Sequence, residues 1–203
     1  MFFKKKIKND KIPKIQIPIS QGVVMAVDTL VDYNMRTFME LVDYTKKYGY
    51  QIDLPENRVV FSIGLLAPET LYAFQVFSRD KANHICDLTE YYLKTYNGDT
   101  RYTYGANGAY LDISSIDIYS IYIEYENDYL KAEKEYLQGE QNALLLPINK
   151  VLFLALAVVL NYDFERKGLS EIQDIHRFCI NKILGYCDLW KTLDEKIDYI
   201  WTE

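Results

Sequence analysis

This sequence has few residues suited to holding a metal, no loop built for phosphate and no apolar run long enough to cross a bilayer. Histidine occurs twice, as His84 and His176, and cysteine three times, as Cys86, Cys179 and Cys187. An odd number of cysteines with no secretory apolar segment ahead of them speaks against a disulfide framework. Thiols in a reducing compartment are expected, and the expected location is cytoplasmic. The start, Met1-Phe2-Phe3 followed by Lys4, Lys5, Lys6 and Lys8, has the charge of a signal n-region but no apolar stretch behind it, so no signal peptide is expected. The longest apolar run, Val151 to Leu160, is about half the roughly 20 residues that a spanning helix needs, so no membrane span is expected.

Glycine and proline are sparse, nine and five in 203 residues, and no segment rich in them divides the chain. No repeat of 20 to 50 residues recurs either. The organisation implied is a basic tail, 1–14, followed by a single helical domain, 15–203. Gly105 and Gly108 have neither the following lysine nor the helix start that a phosphate loop requires, so no nucleotide or other cofactor is expected.

What the sequence does have is a core-sized share of apolar residues, 49%, an excess of acid, and 19 tyrosines. The net charge of -6 is unevenly placed. Six lysines against Asp10 make residues 1–14 basic, which leaves the body more acidic than the total suggests. An acidic body repels phosphate backbones and steers basic proteins toward itself. Contact with nucleic acid is expected only through the Lys4 to Lys14 tail, if at all.

Hydrophobic periodicity predicts a mainly α, multi-helix orthogonal or bundle-like domain. Val23, Val27, Leu30, Val31, Phe38, Leu41, Val42 and Tyr48 fall on one helical face, opposite a charged row with i,i+4 pairs at Asp32–Arg36 and Asp43–Lys47. Asn34 alone interrupts the apolar stripe and so needs a hydrogen-bond partner. Lys14 to Ile19 alternates like an edge strand or extended arm, with Pro18 unable to donate to a ladder. The β-branched start of Arg58 to Leu66 predicts a short strand, with Pro68 opening the next helix. That helix is expected to break near Ser78 and resume to Tyr96.

Asn107-Gly108 between alternating stretches predicts a small β-hairpin at about 101–113. Residues 116–125 fit either strand or helix, and a helical stripe runs from Tyr125 to Leu137. Pro147 then opens a helix of about 147–166 whose body is apolar on every side, so it is expected at the centre with the others packed around it. Ser170 with Gln173 forms a capping box, and Ile172, Ile175, His176, Cys179, Ile183, Tyr186, Cys187 and Trp190 share the last apolar face, which Gly185 could split.

His176 and Cys179, spaced i and i+3, are the one pair of ligand-type side chains leaving the same side of a helix. Two ligands do not make a zinc site, and a mid-helix cysteine on an apolar face lacks the setting of a nucleophile, so neither a metal site nor a catalytic residue is assigned. Tyr102, Tyr104, Tyr110, Tyr119, Tyr122 and Tyr125 gather with Asp112, Asp117 and Glu124 around the predicted hairpin, and tyrosine and charge together make binding surfaces. The functional expectation is a non-enzymatic domain whose acidic, tyrosine-rich surface holds a basic protein partner in the manner of an inhibitor or immunity protein. A small enzyme or metal protein centred on His176 and Cys179 is the second reading. A structural or assembly component, seen as a homo-oligomer, is the third.

Overall fold

Pro18 marks the point where extended chain becomes helix. It closes strand β1 (Ile15–Pro18), and the helix α1 (Ile19–Thr45) starts at the next residue. The computed structural model describes residues 14–95, 102–104, 109–111, 116–138, 147–162 and 169–201, without side-chain placement at 102–104, 109–111 and 169. Of the sequence expectations, the tail before Lys14, the helix stop at Asn97-Gly98, the hairpin turn at Asn107-Gly108 and the acid Asp112 lie outside the described residues.

The apolar stripe read from α1 is the buried one, with Val23, Val27, Leu30, Val31, Phe38, Leu41 and Val42 all in the core. This helix touches α2 (Pro55–Gly64), α3 (Leu66–Leu71), α4 (Arg79–Thr95) and α7 (Leu169–Cys187). Asn34, inside the stripe, donates to the Ser62 carbonyl at 3.2 Å and to Glu69 Oε2 at 2.7 Å. Asp32 and Arg36 pair at 2.6 Å as their spacing implies. Asp43, by contrast, pairs with Lys46 rather than Lys47. The chain tightens to a 3-10 turn at Lys46–Tyr48, where side chains three apart eclipse, and Lys47 rests over the Tyr44 ring instead.

Residues Arg58 to Leu66 are not a strand. They belong to α2 and the start of α3, because Pro55 is suited to the first helical position and every residue from Phe61 to Leu71 is buried, leaving no solvent face for a strand to alternate against. Helix α3 passes into a 3-10 turn at Tyr72–Gln75 before α4. The β-hairpin is present, with β2 (Tyr102–Tyr104) antiparallel to β3 (Ala109–Leu111). The ambiguous segment is helix: α5 (Ile118–Leu137) starts at the Asp117 cap, whose carboxylate accepts from the Ser120 amide at 3.0 Å.

Helix α6 (Pro147–Val159) packs on α2, α3, α5 and α7 and buries Val151, Leu152, Ala155 and Leu156 completely. It stops seven residues short of the expected end. Asn161 takes a left-handed φ of 45°, and the Tyr162 amide reaches back to the Ala157 carbonyl at 2.9 Å, a C-terminal cap that closes the helix. Its apolar circumference is also not fully enclosed, since Val158 is 58% exposed, so α1 shares the central place. Helix α7 begins at Leu169, ahead of Ser170, and continues through Gly185 before α8 (Leu189–Lys196). The last strand, β4 (Ile197–Ile200), had no counterpart in the sequence reading. It pairs in parallel with β1, Ile15 opposite Ile197 and Pro18 opposite Ile200. No described helix is long and apolar enough to cross a membrane.

Candidate functional site

Two helical stripes face each other across a groove. Along α4, Arg79, Asn83, Cys86, Asp87 and Glu90 recur at spacings of three and four. Along α5, Glu126, Tyr129, Leu130 and Glu133 do the same. Leu71, at the end of α3, and Phe74 and Gln75, in the 3-10 turn that follows, complete a groove of about 810 Å³. The helices run antiparallel here, because the Tyr119 hydroxyl near the start of α5 donates to Glu90 Oε2 at 3.3 Å near the end of α4. Lys94, one turn further along α4, lies over the same tyrosine ring.

The groove therefore has two unlike ends. Glu90 and Glu126 meet at one, beside Cys86. Leu130 and Phe74, 46% and 38% exposed, bring apolar surface to the other. Across the lining, the four carboxylates of Asp87, Glu90, Glu126 and Glu133 face one guanidinium, Arg79. Burial holds the Glu126 carboxyl above the ordinary carboxylate range, and the charge of Glu90 raises it further, against the opposite pull of the neighbouring Tyr122 hydroxyl. Burial also pushes the Cys86 thiol up to about 12, with Glu126, Asp87 and Glu90 adding to the shift, so Cys86 is an unreactive thiol rather than a nucleophile.

The sequence-derived surface meets this groove at its edge only. Tyr119 touches it through Glu90, and Glu124 is exposed on α5. Tyr122 and Tyr125 are not surface residues: both are in the core, and Tyr125 packs so closely that a Cβ on Gly64 would lie 2.9 Å from its ring. They sit three apart on the inward side of α5, a burial that strand-like alternation in 116–125 concealed. Asp117 is engaged by its own helix, receiving the Ser120 amide and, at 2.6 Å, the Ser120 hydroxyl, which holds its carboxyl below the usual range. Tyr102 and Tyr104 lie on β2 and Tyr110 on β3, with side chains outside the description.

His176 and Cys179 point into packing. Burial lowers the His176 imidazole, its Nε2 lies 3.2 Å from the Asn149 carbonyl, and its ring meets Phe153. Cys179 is fully buried with its thiol raised to about 12, which keeps it protonated at neutral pH. Among the described residues no group of three or more His, Cys, Asp or Glu is placed to hold a metal.

The groove residues Asp87, Glu90 and Glu133 escaped the sequence reading. Their signal was present as acids at helical spacing on two charged faces, but such rows are ordinarily solvated, and only the antiparallel contact of α4 with α5 makes them one surface. Compared with protein-family models, curated proteins and solved structures, the chain matches none.

Proposed function

We propose that this chain is a non-enzymatic protein-binding domain that holds a basic protein partner on its acidic side, as an inhibitor or immunity protein does. The observation that carries the reading is the α4–α5 groove, where four carboxylates and an apolar end share one concave surface. Acids alone give on-rate and steering, whereas an apolar neighbour that loses water supplies affinity. The buried, protonated thiols of Cys86 and Cys179 favour this over nucleophilic catalysis.

The test must separate a docking site from bulk charge. Two variants with the same net charge do so: Glu90→Lys with Glu126→Lys in the groove, and Asp43→Lys with Glu56→Lys on exposed positions elsewhere. The expected result is a basic protein that co-purifies with the wild-type chain and with the remote variant at defined stoichiometry, and is lost from the groove variant. Equal retention by both variants, or equal loss, contradicts the reading.

A further inference from the structure

We infer that the α4–α5 groove receives a cationic side chain, arginine or lysine, between Glu90 and Glu126, and an apolar side chain of the same partner segment against Phe74 and Leu130. This rests on the protein-binding reading above and specifies what the partner presents.

Three observations converge on the cation. Among the described residues no ion pair reaches Glu90 or Glu126, although Glu135, on the same helix, is paired with Lys150. Glu90 lies close enough to Glu126 to disfavour its charge, a repulsion that a cation placed between them removes. The Tyr122 hydroxyl, fully buried and without a hydrogen-bond partner, adjoins Cys86, Glu90 and Glu126, three of the lining residues. A donor entering the groove there has acceptors ready in the two carboxylates, which line it. Arginine fits this arrangement best, since its planar guanidinium stays charged and offers several N–H donors in a fixed fork.

The second contact follows from helix geometry. Glu126 and Leu130 are one turn apart on α5, about 6 Å along the axis at 1.5 Å per residue. Phe74 lines the same groove from the 3-10 turn that precedes α4. A partner segment that is itself helical meets both points with its cation and its apolar side chain four residues apart. Along α4, Arg79 to Glu90 extends for about 16 Å, enough for three turns of such a helix. Arg79 sets the direction of docking, because it repels a second cation from the far end.

The probe is a twelve-residue helical peptide carrying Arg and Leu four apart on an otherwise uncharged face, titrated into the full chain while amide chemical shifts are followed. Shifts concentrated at Cys86, Glu90, Glu126 and Leu130 are expected. Replacing the peptide Arg by Glu should abolish them, and replacing its Leu by Ala should remove those at Leu130. The double variant Glu90→Gln, Glu126→Gln, with a dispersed spectrum showing that it is folded, should bind at least tenfold more weakly. Unchanged binding by that variant overturns the inference, as does the absence of binding. Saturating shifts elsewhere on the acidic body overturn the residue assignment while leaving the protein-binding reading intact, and that reading is lost only if the equal-charge variants above behave alike.

Discussion

At the scale of single residues, two features of the core decide how the molecule responds to pH and where its tyrosines go. Glu69 is fully buried on α3, with Asn34 as its side-chain donor and with Oε1 unpartnered. Its main-chain carbonyl accepts the Trp190 indole N–H at 3.0 Å. Burial without a cation raises its carboxyl well above the ordinary 4.5, so the folded state keeps a proton that the unfolded chain releases. The stabilising contribution is therefore complete below about 4.5 and declines as pH rises above it, because the folded form binds more protons through that window. Glu69→Gln keeps the acceptor for Asn34 and removes the titration. Denaturant unfolding at pH 5 and pH 8 should show the wild type losing more stability over that interval than the variant. Parallel pH dependence in the two proteins would remove Glu69 as its source.

The tyrosines are explained in the same way, by what their tips reach. Tyr48 donates to Asp174 at 2.7 Å, Tyr50, in the loop before α2, to Glu171 at 2.5 Å and Tyr92 to Asp28 at 3.0 Å, each reaching a helix distant in sequence. Such O–H to carboxylate bonds are among the stronger side-chain hydrogen bonds and tie half-buried rings to neighbouring helices. Much of the tyrosine content thus joins helices rather than coating an interface, which is why a surface drawn from tyrosine density included Tyr122 and Tyr125.

At the scale of elements, the terminal pairing of β1 with β4 depends on a missing side chain. A Cβ added to Gly22 would sit 2.4 Å from the Tyr199 ring, so α1 and β4 approach only because position 22 is glycine. Gly22→Ala should cost about 1–3 kcal/mol by overpacking and should expose the strands selectively. Hydrogen exchange would show faster amides at 15–18 and 197–200 with α6 unchanged, whereas uniform loss or no change would contradict the contact.

The elements also show what was legible in the sequence. Helices α1 and α7 were readable because each buries one stripe and solvates the other face, which is what 3.6-residue periodicity records. The pairing of β2 with β3 was readable from the Asn107-Gly108 dipeptide standing between two alternating stretches. Residues 58–66 misled because from Phe61 onward the segment is buried on all sides and has no alternation of either kind, and local β-branching then decides wrongly against tertiary packing. The β1–β4 pair was beyond reach, since its partners are some 182 residues apart and no local signal encodes a parallel partner. The groove had the same difficulty: each wall was visible as a charged stripe, and their juxtaposition was not.

At the scale of the whole molecule, the net charge of -6 and the groove work at different ranges. The overall field attracts cations within about a Debye length, roughly 10 Å at 0.1 M salt, and weakens as salt rises. The groove adds a local demand, a cation and an apolar group at a fixed separation, that a field cannot impose. On the proposed reading, specificity for one basic protein over others comes from the paired requirement rather than from charge. The most direct test is hydrogen exchange of the full chain with and without its captured basic partner. The account predicts protection centred on 79–90 and 126–133, with the α1–α7 side unchanged. Protection confined to other elements, or spread evenly over the acidic surface, would contradict it.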